Sequence, residues 1–223
     1  MDVERTEEFE NALEWMRDSE RNVFLTGKAG TGKSTLLEYF RDHSDKNLAV
    51  LAPTGVAAVN VRGQTIHSFF GFGPDVTVQQ VSEGVYDPSD DEKYSNLDVL
   101  VIDEVSMVRA DIMDCIGQFL RRNGPDSSEP LGGIKTILIG DPFQLEPVHT
   151  GEESEYFEEQ YESPWFFDSH VFDELDCRMV ELTTIHRQHD EQFVNILNGI
   201  RTRTITDEQM ETLNDRVRPD DEP

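Results

Sequence analysis

Aliphatic runs alternating with amphipathic stretches set the frame of this chain. "NVFLT" (22–26), "LAVLA" (48–52), "DVLVID" (98–103), "KTILIG" (135–140) and "RMVELTT" (178–184) read as strands. Near-continuous aliphatic strands are the mark of a sheet buried on both faces. Between them the apolar period lengthens to that of a helix. "EEFENALEWMRD" (7–18) puts Phe9, Leu13 and Met16 on one stripe, and a helix runs from Lys33 to about His43. "GVAAVNV" (55–61) is a short helix. Another starts at Thr65, with Gly71 and Gly73 ending it. "RADIMDCIGQFLRR" (109–122) is amphipathic.

The segment Pro74 to Tyr94 is polar, contains "DPSDDE", and reads as an inserted loop or small hairpin. "GEESEYFEEQYE" (151–162) carries six Glu and no base, a solvated helix or loop from which Tyr156, Phe157 and Tyr161 could pack inward. "SPWFFDSHVF" (163–172) reads as core packing. Two helices close the chain, "DEQFVNILNGIR" and "DEQMETLNDR", the second introduced by a capping box of Thr206 and Gln209. Strand–helix alternation implies an α/β fold, a parallel sheet with helices on both faces. Ligands of such a sheet sit beyond the carboxyl ends of its strands.

Charge changes the picture. The 223 residues hold 46 acids against 19 bases, a formal net charge of −27, with 5 Lys and 14 Arg among the bases. Such a chain repels nucleic acid at low salt. At molar salt the Debye length falls to about 3 Å and that repulsion fades. The acid excess spares residues 22–81, where Lys28, Lys33, Arg41, Lys46 and Arg62 face only Glu38, Asp42, Asp45 and Asp75. That distribution favours adaptation to salt over a protein that simply avoids polyanions. The sequence contains no apolar run of about eighteen residues, and "MDVERTEEFE" lacks an apolar signal core. Cys115 and Cys177 form no metal spacing, which suits a reducing compartment. The expectation is a cytoplasmic protein with no membrane partner.

The chemistry begins at "GKAGTGKST" (27–35), which matches G-x-x-x-x-G-K-[ST] between a strand and a helix. In this reading Gly27, Lys28, Ala29, Gly30, Thr31, Gly32, Lys33, Ser34 and Thr35 form a phosphate cradle. Backbone amides and the helix N-terminus point at phosphate oxygens. Lys33 reaches the β- and γ-phosphates of ATP, and Ser34 is a Mg²⁺ ligand. "VLVIDE" (99–104) ends in two carboxylates at the same sheet edge. Asp103 suits the Mg²⁺ shell, and Glu104 suits orienting and deprotonating water. In "ILIGDPFQLEPV" (137–148), Asp141 and Gln144 leave the next strand at that edge. Asp141 belongs with the nucleotide site. The Gln144 amide is a sensor whose γ-phosphate contact is lost on hydrolysis.

Five motifs in order, "GKAGTGKS", "APTGVAAVNVRGQTIHSFF", "VIDEVSM", "IGDPFQLEPV" and "HRQHDEQFVNILNGIR", resemble those of Pif-type DNA helicases, RecD relatives within superfamily one. The resemblance covers roughly residues 7 to 215. It implies a RecA-like P-loop NTPase fold and a 5′-to-3′ single-strand translocase driven by ATP. It adds Arg187 as a second contact to the γ-phosphate, and places Thr54, Gly55, His67, Ser68 and Phe69 on single-stranded DNA. Helix starts near Thr54 and Thr65 would let backbone amides meet DNA phosphates without a basic patch. Phe69 or Phe70, if exposed, would stack on a base for about 1–3 kcal/mol. "HRQH" (186–189) offers no third metal ligand.

The resemblance also marks departures. Pif-type helicases carry a Gln near position 9 that reads adenine, and Phe9 stands here. It divides the chain into a RecA-like ATP-binding lobe over 1–188, with a small insertion near 72–95, and a helical segment over 189–223. That segment is the start of a truncated second lobe or a C-terminal extension. An arginine finger, worth about 10³–10⁵ in rate elsewhere, would lie beyond, leaving room for a separate chain that supplies the second lobe. The expectation is slow hydrolysis and no unwinding by this chain alone. An AAA-type ATPase acting on protein would need a sensor Asn where "GDPFQ" stands. A non-catalytic nucleotide-binding module would have lost Lys33 or Glu104, and both are present.

Overall fold

The computed structural model describes residues 6–18, 21–89, 92–149, 151–184 and 191–214. Six strands form one sheet in which every pairing is parallel. They are β1 (Asn22–Gly27), β2 (Leu48–Ala52), β3 (Gln64–Thr65), β4 (Val99–Ile102), β5 (Lys135–Ile139) and β6 (Cys177–Leu182), in the spatial order β3-β2-β4-β5-β1-β6. The four inner strands β1, β2, β4 and β5 are largely aliphatic because their side chains alternate between two buried faces, whereas the edge strands β3 and β6 are more polar and more exposed. Val23, Leu25, Val99, Val101, Ile137 and Ile139 point to one core. Phe24, Leu100, Ile102 and Leu138 point to the other.

The first core is closed by α1 (Glu7–Asp18) and α2 (Lys33–Asp42), through Phe9, Leu13, Met16, Leu36, Leu37 and Phe40. Phe9 is 6% exposed and meets Tyr39 edge-on at 5.7 Å, so the residue standing at the adenine-reading position is a packing residue here. Glu8 fastens α1 to the end of β6 by accepting the backbone amides of Thr183 and Thr184, both at 3.1 Å.

The second core is closed by α4 (Ile66–Phe70), α5 (Val78–Ser82), α6 (Glu92–Ser95), α7 (Ala110–Asn123) and α9 (His170–Glu174), while α3 (Gly55–Asn60) and α8 (Gly151–Gln160) bury Ala58 and Phe157 outside it. Here the segment from Pro74 to Tyr94 departs from the expected loop or hairpin. It folds into α5 and α6, with Val76, Val81 and Tyr94 buried. A capping box of Thr77 and Gln80 starts α5. Arg122 on α7 holds Asp87 through Nε at 3.0 Å. The run 151–162 is largely helix, and of its three aromatic rings Phe157 is buried while Tyr156 is 43% exposed. Phe166 and Val171 are buried in "SPWFFDSHVF", as packing requires.

The last described helices are α10 (Glu191–Arg201) and α11 (Asp207–Asn214), and the Thr206–Gln209 capping box is formed. Ile196 of α10 is 1% exposed. The expected lobe boundary at 188/189, Arg187 and "HRQH" lie outside the described residues. No described helix is long and apolar enough to cross a membrane.

Candidate nucleotide site and adjoining groove

The carboxyl ends of β1, β4 and β5 converge on one cleft of about 290 Å³, lined by Ala29 to Thr35, Glu104 and Gln144. Gly32 caps α2 in the left-handed region at φ 91°, a conformation that glycine adopts without a Cβ penalty. The first intrahelical bond runs from the Leu36 amide to Gly32 O at 2.8 Å. The amides of Lys33, Ser34 and Thr35 therefore precede the helical ladder, where a helix offers its N–H groups to an anion. Thr31 Oγ1 donates to Lys28 O at 2.9 Å and shapes the loop. Lys33 Nζ donates to Gly27 O at 2.5 Å and to Lys28 O at 3.3 Å. Gly27 and Lys28 thus serve the cradle through carbonyls that hold the amine. Burial pushes the Lys33 amine below its ordinary 10.5, opposed by the carboxylates of Asp141, Glu104 and Asp103.

Asp103 continues β4 beyond its last strand residue, its amide donating to Leu51 O at 2.8 Å. Burial, with the Glu104 charge beside it, raises its carboxyl from 3.8 to about 6. Glu104 is a non-glycine residue in the left-handed region, φ 50° and ψ 39°. That conformation costs about 1–2 kcal/mol, and it turns the chain into a 3-10 turn, Val105–Met107, directly after the strand. A Cβ on Gly140 would sit 3.0 Å from Val105 Cγ1 and 3.1 Å from the Ser106 amide, so any side chain there would press on this turn by a few tenths of an ångström.

At that exit Asp141 is 1% exposed. It is outside the cleft lining and acts on the cleft through others. Its carboxylate accepts from the Phe143 amide (3.1 Å), from Gln144 Nε2 (3.1 Å) and from both prongs of Arg201 (2.9 and 2.8 Å). Burial alone would raise its titration. The Arg201 pair and the other donors outweigh it and hold the carboxyl below its ordinary 3.8. Arg201, at the end of α10, was invisible as a site residue in the sequence, where it reads as a base in the last turn of an amphipathic helix. Its side chain is 14% exposed.

A second groove, about 250 Å³, opens beside the first beyond the ends of β2, β3 and β4. Pro53, Thr54, Ile66, His67, Met107, Val108, Arg109 and Val148 line it, among others. Thr54 Oγ1 caps α3 by accepting the Ala57 amide at 3.2 Å, and Thr65 Oγ1 caps α4 by accepting the Ser68 amide at 3.2 Å. Gly55 is exposed, with nothing within 4 Å of a Cβ added there, and Ser68 is exposed. His67 titrates below its ordinary 6.5, because of burial and then the Arg109 charge. Arg109, a second lining residue the sequence did not single out, is paired with Asp111 at 2.5 Å.

Phe69 corrects the sequence expectation. It is 6% exposed, meets Phe70 and Tyr94 edge-on at 4.9 and 5.5 Å, and lies under the Lys93 ammonium at 3.7 Å. Phe70 is 2% exposed. Both rings are core, which is what their spacing on a short helix against an apolar sheet demands. Lys93 Nζ and Tyr94 OH both donate to Phe69 O, at 2.9 and 2.8 Å, bracing α4 from below.

The family described as PIF1-like helicase matches residues 2–211. The ATP-dependent DNA helicase Pif1 of Bdellovibrio bacteriovorus is 34% identical over 228 residues, 99% of this chain and 48% of that protein. The ATP-dependent DNA helicase PIF1 of Danio rerio is 37% identical over 195 residues, 85% of this chain and 29% of that one. Among solved structures, a Pif1 helicase from Bacteroides in complex with ADP-AlF3 and ssDNA superposes with a TM-score of 0.85 at 38% identity, covering 99% of this chain and 53% of that one. The Pif1 helicase from Candida albicans gives 0.84 at 31% identity, with 99% and 49% covered. The chain therefore spans about half the length of the Bdellovibrio relative and of both structures, and less of the Danio one.

Proposed function

Since this chain belongs to the PIF1-like helicase family, we propose that it is the RecA-like ATP-binding lobe of an ATP-driven 5′-to-3′ DNA translocase. In this reading it hydrolyses ATP at the first cleft and holds single-stranded DNA along the second groove. The observation that carries the reading is the convergence of the phosphate loop, Glu104 and Gln144 on one cleft at the carboxyl edge of a parallel sheet.

Lys33 would exchange its loop carbonyls for the β- and γ-phosphates, and Gln144 would meet the γ-phosphate. Glu104, aimed by its left-handed backbone, would take the proton of the attacking water. A Mg²⁺ ion fits the donor set: the Ser34 hydroxyl and the Asp103 carboxylate are hard oxygen ligands. Burial and then the adjacent Glu104 charge raise the Asp103 carboxyl, and a cation would favour its charged form. Bound there, Mg²⁺ would neutralise charge building on the phosphate oxygens. Arg187 is proposed as a further γ-phosphate contact on the resemblance alone.

On the DNA side the proposal keeps Thr54, Gly55, His67 and Ser68, which lie on or beside the second groove, and adds Arg109. Related Pif1 structures from Bacteroides are described as bound to ssDNA. The remaining half of the translocase, in the same or a separate chain, would complete the DNA track. The acid excess is proposed to be salt adaptation, supported by its sparing of residues 22–81.

The test is steady-state ATP hydrolysis in molar KCl, with and without single-stranded DNA, against Lys33→Ala. Hydrolysis that Lys33→Ala removes is expected. Turnover unaffected by Lys33→Ala would refute the assignment of the cleft.

A further inference from the structure

Arg201 and Gln144 share one acceptor. Arg201 Nε donates to Asp141 Oδ2 at 2.9 Å, and Gln144 Nε2 donates to the same oxygen at 3.1 Å. Arg201 Nη2 takes the other oxygen, Oδ1, at 2.8 Å, beside the Phe143 amide at 3.1 Å. The Asp141 side chain is fully buried and that of Arg201 is 14% exposed. The guanidinium also lies 4.4 Å from the centre of the Phe143 ring. Sixty residues of sequence separate the partners, so the pair fastens the end of α10 to the loop that carries Gln144 into the nucleotide cleft.

A buried carboxylate with a planar bidentate partner has one geometry, set by the fork of the guanidinium. When the Gln144 amide turns toward a γ-phosphate, Oδ2 loses one of its two donors. A buried charge that loses a donor must be compensated, and Arg201 is the group placed to do it. Whatever displaces Gln144 therefore changes the load on the α10 terminus.

We propose that Arg201 is a positioning residue that holds Gln144 through Asp141 and carries the state of the nucleotide cleft into α10 and onward to α11. Arg201 is not among the residues that line the nucleotide cleft and acts on Gln144 through the shared carboxylate. The proposal rests on the reading of Gln144 as a γ-phosphate sensor, and adds the element that receives its signal. Physical linkage of this kind is established only when both ends bias the same element.

The test is amide hydrogen exchange on the full chain, with and without Mg²⁺ and saturating AMP-PNP. Wild type, Gln144→Ala, Arg201→Gln and Arg201→Lys are compared. In wild type, nucleotide should protect residues 27–35 and change exchange over 191–201 by at least about fivefold, the low end of typical coupling between sites. Gln144→Ala and Arg201→Gln should each retain protection of the phosphate loop and lose the response of α10. Arg201→Lys keeps the charge without the fork and should lose most of it. Should Arg201→Gln not fold, Arg201→Lys decides by the same criterion.

A purely structural bolt gives a different result: faster exchange of α10 in Arg201→Gln without nucleotide, while the nucleotide-dependent difference survives. That outcome overturns the proposal, as does a wild-type α10 indifferent to AMP-PNP although the phosphate loop is protected. No protection of residues 27–35 in wild type would instead overturn the nucleotide-site reading itself.

Discussion

Removing the Phe119 ring tells the two cores apart, because each proposed ligand site leans on a different face of the sheet. Phe119 is 1% exposed on α7, with ring centres 5.0 Å from Phe70, 5.8 Å from Phe72 and 4.7 Å from Tyr94, all edge-on. A buried Phe→Ala change costs about 3–5 kcal/mol through lost transfer energy and an unfilled cavity. With three aromatic neighbours losing an edge-on partner, Phe119→Ala is expected in the upper half of that range. Against a typical total of about 5–15 kcal/mol, the variant stays folded but weakened. Phe70 lies on α4, so the loosened element carries His67 and Ser68, whereas α2 and the phosphate loop rest on the opposite core around Phe40. Urea denaturation in molar KCl, followed by tryptophan fluorescence, reads the stability. Trp15 packs on the Phe40 core, and Trp165 stacks on Phe167 beside the Phe119 core. Phe119→Ala should weaken single-stranded DNA binding far more than ATP binding, and Phe40→Ala should do the reverse. A loss below about 1 kcal/mol, or equal losses of both ligands in both variants, would refute the division of labour between the faces.

Three further expectations follow from the site. Glu104→Gln should bind ATP, seen by calorimetry, and stop turnover; undiminished hydrolysis would mean another base. The His67 ring should titrate below 6.5 in an NMR pH series. Its stability contribution is then present above pH 6.5 and lost as pH falls through the folded value, and His67→Gln should flatten that part of the pH–stability curve. If the acid excess is salt adaptation, the thermal midpoint should rise with KCl toward molar concentrations, and a midpoint insensitive to salt counts against it.

How much of this could be read from the chain depended on range. The phosphate loop and the acidic exit of β4 are local patterns, in which strand, turn and helix follow within about ten residues, and the structure brings them together at one edge. The strands were legible because both faces of a parallel sheet demand aliphatic residues. Strand β3 was not, since Gln64 and Thr65 carry no apolar signal and join the sheet only through pairing with Leu51 and Ala52. The segment 74–94 hid its helices because each is five residues or fewer, too short for a period to declare itself. Phe69 shows periodicity and resemblance pointing in opposite directions, and burial follows the periodicity. Arg201 was beyond reach for another reason. Its partner is sixty residues away, and nothing local separates a base that caps a helix from one that enters a site.

The strained corner at Glu104 has a consequence of scale. Glu104 lines the nucleotide cleft, while Met107, Val108 and Arg109 line the neighbouring groove. One 3-10 turn, with Val105 and Ser106 fully buried, is all that separates them. Six consecutive residues, 104–109, thus span the two pockets, and a substitution at Val105 or Ser106 would disturb the lining of both.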